Sequence, residues 1–182
     1  GWFYTWQNKA ITFIESSMNR GYETIERLFP KGFPGAVYIS DCLPAQLKTP
    51  ANLHQLCLAH LLRELNNFED ALFCNWSKKM KQLLLDAIAL KKQFTEQDYN
   101  EPPPSVARIQ EQLDYLLATD YSSYHHKVKA FIKRLVKNRQ AILTFLYYHN
   151  VPADNNSSEQ AIRNIKVKAK VSGQFRSEKG AK

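Results

Sequence analysis

Residues 36–41 read AVYISD, a short apolar run that ends in a carboxylate. Pro30, Gly32, Pro34 and Gly35 stand just ahead of it, and residues of that kind end a helix and mark a turn. An apolar run of this length bounded by turn formers predicts a buried strand over Ala36–Ser40. Asp41 then lies at the C-terminal end of the strand, where open α/β sheets hold their chemistry. Taken alone, the residue supports two readings: a strand-end side chain that caps the next turn, or an oxygen ligand for a metal ion.

The sequence around this strand sets its context. On the N-terminal side, the aromatic and β-branched runs Trp2–Trp6 and Ile11–Ile14, separated by Gln7, Asn8 and Lys9, predict a β-hairpin. Asn19 then precedes Tyr22, Ile25, Leu28 and Phe29 at helical spacing. On the C-terminal side, His54–Cys57 reads as another short strand, followed by a helix over residues 59–68. Beyond it the pattern is wholly helical. Ser77 is placed to cap a helix with the stripe Met80, Leu83, Leu84, Ala87 and Ile88, and Pro102–Pro104 interrupt the chain. Ser105 is placed to cap a helix with Val106, Ile109, Leu113 and Leu116. A last long helix is predicted over residues 125–148, with Val128, Phe131, Ile132, Leu135, Ile142, Leu143 and Leu146 on its apolar face. Trp2, Trp6 and Trp76 are expected in the core or at its rim.

The bulk composition limits the function classes. The 182 residues, 44% hydrophobic, suffice for one good core with a helical appendage. No apolar stretch is long enough to span a membrane, and GWFYTWQN at the start has none of the parts of a signal peptide, so a cytoplasmic location and no membrane partner are expected. Three cysteines, Cys42, Cys57 and Cys74, are too few for a disulfide framework. The net charge of +8 is unevenly spread: residues 121–182 hold 13 Lys and Arg against 3 Asp and Glu, a local balance of +10. Such one-sided charge points to a polyanion such as a nucleic acid, and Lys129, Lys133 and Lys137 repeat every four residues on a face apart from the apolar stripe. A merely solvated basic face remains the plainer reading of the same residues.

Near the C-terminus, residues 151–170 read VPADNNSSEQAIRNIKVKAK. Asn156, Ser157, Ser158 and Glu159 fit a capping box at a helix start. The same Glu159, together with Asp41, is the kind of distant carboxylate pair that could meet around metal ions. His54, Cys57 and His60 recur at three-residue intervals, which falls short of the four ligands of a structural zinc site, so zinc is not expected.

Several spaced motifs carry a resemblance. Asn155-Asn156-x-x-Glu159-x-x-Ile162-Arg163, with Lys170-Val171-Ser172-Gly173-x-Phe175-Arg176-Ser177-x-x-Gly180-Ala181 behind it, resembles the C-terminal signature of the insertion sequence 66 family of bacterial transposases. Cys57-Leu58-Ala59-His60-x-x-Arg63-Glu64-Leu65 is similar to that family's motif after its second catalytic strand. Val37–Asp41 and the opening strands fall in register with it. The resemblance implies a ribonuclease H-like mixed sheet with a large all-helical insertion, and DNA strand transfer by three carboxylates holding two Mg2+ or Mn2+ ions. Asp41 would be the second carboxylate and Glu159 the third. The first belongs to an Asp-Glu-Thr motif on a strand ahead of the hairpin. These 182 residues do not contain that motif, so the sequence reads as a catalytic-domain fragment trimmed at both ends and inactive alone.

On this resemblance residues 1–69 form the N-terminal part of the core, 70–150 the helical insertion, and 151–182 the C-terminal part with the Glu159 helix and basic tail. Double-stranded DNA, both element ends and target, would lie against Lys129, Lys133, Lys137, Arg163, Lys166, Lys168, Lys170 and Arg176. His60, Arg63, Asn155 and Asn156 would neighbour the active site, and unpaired strand edges would favour a homodimer. Cys42 and Gln160 depart from the Gly and Arg usual in the family. The alternative is a non-catalytic DNA-binding module descended from a decayed or domesticated transposase.

Overall fold

The computed structural model describes residues 2–154. Strands β1 (Trp2–Gln7) and β2 (Thr12–Ser17) pair antiparallel as the expected hairpin, with Trp6 opposite Phe13. Its turn is closed by the Asn8 side chain, whose Oδ1 accepts from the backbone N–H groups of Ala10 and Ile11, an Asx turn. Helix α1 (Tyr22–Leu28) follows, and strand β3 (Phe33–Ser40) runs parallel to β4 (Ala51–Leu56), with the short helix α2 (Pro44–Lys48) between them. The described residues therefore form an α/β fold with two small two-stranded sheets.

Strand β3 begins three residues earlier than its apolar run suggests. The register shifts between Phe33 and Val37, and this irregularity takes Pro34 and Gly35 into the strand as a bulge. Gly32 must be glycine: its φ is +61°, and a Cβ there would sit 2.1 Å from the Pro50 carbonyl oxygen.

Hairpin and parallel pair are joined by aromatic side chains instead of a shared ladder. Trp6 meets Phe29 at 5.0 Å between ring centroids, Phe29 meets Phe33 at 4.8 Å, and Phe33 meets Tyr38 at 4.8 Å. Edge-on and tilted contacts of this kind add to the area that the rings bury. Burial pushes the Tyr38 hydroxyl up to about 12, so it stays protonated. Trp2 does not follow the core expectation. It is 47% exposed at the first strand position, where Arg20 covers its ring at 4.6 Å. Trp76, in contrast, is buried and donates Nε1–H to the Leu116 carbonyl at 2.9 Å.

The helical block comprises α3 (Leu58–Leu72), α4 (Asn75–Lys91), the single turn α5 (Gln97–Asn100), α6 (Pro104–Leu117) and α7 (His126–Lys137). Apolar positions recur at helical spacing on each long helix, and the buried cluster runs from Leu56 through Met80, Leu84, Leu113, Phe131 and Leu135 to Val151. Three expected helix starts are different in detail. Gly21, not Asn19, precedes α1. Ser77 lies inside the first turn of α4 and donates to the Cys74 carbonyl at 2.6 Å. For α6, Pro104 takes the first helical position, where its missing N–H costs nothing.

The long helix expected over residues 125–148 is not continuous. It stops at Asn138, whose side chain donates to the Arg134 carbonyl at 2.8 Å and so competes for a helical acceptor. Two 3-10 turns follow, Arg139–Ala141 and Thr144–Tyr147. Periodicity could not show the break, because Ile142, Leu143 and Leu146 are buried all the same.

These turns cover the free edge of β4. The fully buried Gln55 side chain donates Nε2–H to the carbonyls of Leu56 (2.7 Å) and Ile142 (2.8 Å), and its Oε1 accepts from the Phe145 N–H at 2.7 Å. Thr144 Oγ1 donates to the His54 carbonyl at 2.7 Å. On the far side Lys91 Nζ donates to the carbonyls of Phe145, Tyr148 and Val151 at 2.5–2.8 Å. Burial pushes the Lys91 ammonium down to about 8.

Gln55→Met keeps the volume but strands the Phe145 N–H and the Ile142 carbonyl. At about 1–3 kcal/mol for each orphaned buried group, it should cost about 3 kcal/mol, read as a lower urea midpoint at unchanged slope. Lys91→Met should cost less, about 1–2 kcal/mol, because the group is half exposed and water can replace it.

Candidate functional site

Two parallel strands in register end side by side, and this fixes the site. Ser40 pairs with Leu56, so the next residues, Asp41 and Cys57, leave the sheet together, and the Cys57 N–H donates to the Ser40 carbonyl at 2.8 Å. Cys57 is the N-cap of α3, and His60 stands three residues on, above it on the same face of the first turn. Register and helical spacing together bring one carboxylate oxygen, one sulfur and one imidazole nitrogen within 4.8 Å of one another. The Asp41 Oδ1 to His60 Nδ1 distance is 3.5 Å. Cys57 is fully buried, whereas the Asp41 and His60 side chains are 29% and 27% exposed, so the cluster has a closed floor and an open mouth.

An ion pair between two helices lies near the cluster. Arg134 of α7 pairs with Glu64 of α3 at 2.6 Å and lies over the Phe131 ring at 5.0 Å. Its charge also reaches Cys42, whose thiol burial pushes up to about 11. Arg63, next to Glu64, is exposed.

The expected residues fall into three groups. Asp41 and His60 come together, and Cys57, read from the sequence as core, joins them. His54 does not: its ring packs on Tyr38 at 5.9 Å, on the strand before the cluster. On α7, Lys133 and Lys137 are exposed, while Lys129 is half-buried and donates Nζ–H to the Ser122 carbonyl at 3.0 Å. Asn155, Asn156, Glu159, Arg163, Lys166, Lys168, Lys170 and Arg176 lie outside the described residues. The chain reaches the first of them from beside the cluster, because the Leu58 N–H donates to the Ala153 carbonyl at 2.9 Å. Arg134 was not legible as a site neighbour, since only the crossing of α7 over α3 brings it there. Cys57 had a usable signal in being the residue that directly follows a strand.

Asp41 offers the hard oxygen that Mg2+ or Mn2+ takes, whereas a thiol and an imidazole are poor magnesium ligands. Among the described residues, the cluster therefore fits a magnesium site through Asp41 alone. No helix among them is long and apolar enough to cross a membrane.

Compared with known proteins, the chain finds no match among curated proteins or solved structures. Among protein families, residues 1–182 match the one described as transposase IS66 family. A match over the whole length makes the chain a member of the IS66 family of transposases.

Proposed function

We propose that this chain carries the metal-binding and DNA-binding core of a DNA strand-transfer enzyme with a ribonuclease H-like fold, in which Asp41 and Glu159 are two of three metal-holding carboxylates. The observation that carries the reading is the placement of Asp41 directly after β3, beside the first turn of α3, whose Leu58 N–H donates to the Ala153 carbonyl. Glu159 stands five positions beyond Asp154, a short reach for a carboxylate that has to return to the Asp41 end of the sheet.

In this reading residues 1–69 and 151–182 make the core, and 70–150 the helical insertion. Two Mg2+ or Mn2+ ions about 4 Å apart would supply charge stabilisation at the phosphodiester and an activated water or 3′ hydroxyl. Asp41 holds its oxygen at the mouth of the cluster, with His60 Nδ1 3.5 Å away to limit its rotamers. Lys133 and Lys137, exposed on α7, and Lys129 beside them meet the DNA backbone together with Arg163, Lys166, Lys168, Lys170 and Arg176. Double-stranded element ends and target DNA are the partners, and pairing of strand edges between two copies is the expected route to a homodimer. The family's first carboxylate is not supplied by the 182 residues, so the chain alone is expected not to cleave DNA.

Strand transfer in vitro tests this, using the chain joined to the strand that carries the first Asp. Asp41→Asn and Glu159→Gln should each lower the rate by at least about a thousandfold while leaving DNA affinity in place, a loss typical of removing a group that stabilises charge in the transition state. Full activity in either variant overturns the assignment. Separately, Lys133→Glu with Lys137→Glu should weaken binding to every duplex by a similar factor and lower the slope of log affinity against log salt by about two, one unit for each lost phosphate contact. An unchanged slope would mean that this face is only solvated.

A further inference from the structure

Asp41, Cys57 and His60 supply an oxygen, a sulfur and a nitrogen, and that is not the donor set of a magnesium enzyme. We propose that these three side chains form a binding site for a thiophilic divalent ion of the zinc class, with a fourth position open to solvent.

The geometry is close to what such an ion needs. Bond lengths of about 2.0 Å to oxygen and nitrogen and about 2.3 Å to sulfur place the ligand atoms of a tetrahedral site roughly 3.5 Å apart. The Asp41 to His60 edge is already 3.5 Å, and all three atoms lie within 4.8 Å of one another, so closure requires only rotamer-scale movement of two exposed-side residues toward a fixed thiol. Cys57 is held by its place in the fold: its N–H is bonded to Ser40, and its side chain is fully buried under the first turn of α3. Partial exposure of Asp41 and His60 leaves a route in for the ion and room for a water on it. Three protein ligands and one open position is the pattern of a reactive, not a structural, zinc site.

The site stands on this geometry whether or not the transposition reading holds. Its consequence rests on that reading: a zinc-class ion and magnesium would compete for Asp41, so micromolar zinc would act as an inhibitor of strand transfer by an order-of-magnitude comparison of thiolate and carboxylate sites.

Cobalt(II) titration of the reduced, metal-free 182-residue chain tests the site without any reference to activity. The expected result is a thiolate-to-cobalt charge-transfer band that saturates at one equivalent, persists in a large excess of Mg2+ and is displaced by Zn2+. Cys57→Ser should abolish the band, Asp41→Asn and His60→Gln should leave binding too weak to saturate, and Cys42→Ser and Cys74→Ser should leave it unchanged. His60→Gln, at a partly exposed position, serves where Cys57→Ser fails to fold. Absence of the band in the folded chain, or a band that follows Cys42 or Cys74 instead of Cys57, overturns the proposal.

Discussion

The buried amide of Gln55 is the interaction on which the rest of the structure depends. A parallel pair of strands has two free edges, and a free edge deep in a core leaves backbone groups that have no water to bond. Gln55 answers this on the β4 side with one side chain that is both donor and acceptor, so that two irregular 3-10 turns lie where another strand could. Thr144 repeats the arrangement one residue earlier on β4. The helix that periodicity predicts through residue 148 must be broken for this to happen, since a continuous α-helix would have used the Ile142 carbonyl and the Phe145 N–H in its own ladder. The Asn138 stop and the Gln55 amide are thus two halves of one solution.

Holding that segment down has a consequence at the functional end of the sheet. Lys91 gathers the carbonyls of Phe145, Tyr148 and Val151 from the α4 side, and the next bond along the chain is Ala153 to the first N–H of α3. The chain at Ala153 is therefore held against the first turn of α3, which starts where Cys57 leaves β4. Residues up to 95 positions apart are brought together by ordinary hydrogen bonds to backbone, with the apolar face of α7 supplying the packing.

Within the cluster, the chemistry follows from which atoms the fold offers. Parallel register sets Asp41 beside Cys57, and a helical step of three sets His60 over both. The result sets one hard donor beside two softer ones, and hard and softer ions prefer different members of such a set. Arg134, paired with Glu64, adds a fixed positive charge near the Cys42 side of this mouth, so the field there is shaped by α7 as well as by the motif residues.

Much of this was legible in the sequence, for reasons that are local. Turn formers around AVYISD marked the strand and put Asp41 at its end, the Asn8 turn marked the hairpin, and spaced motifs pointed to the family. Apolar periodicity located α3, α4, α6 and the first half of α7, because burial of one face imposes a repeat that survives in the residues themselves. What only the tertiary structure decided was set by partners far along the chain. The turns beyond Asn138 are held by Gln55, 87 and 90 positions from the groups it bonds. Trp2 is exposed because its strand position faces Arg20, not the core. His54 and Cys57 look equivalent in a three-residue spacing, yet the strand ends between them, so one packs on Tyr38 and the other joins Asp41 and His60. A spacing states which residues share a face of one element; which elements meet at that face is a property of the packed chain, since it depends on burying surfaces that no single stretch contains.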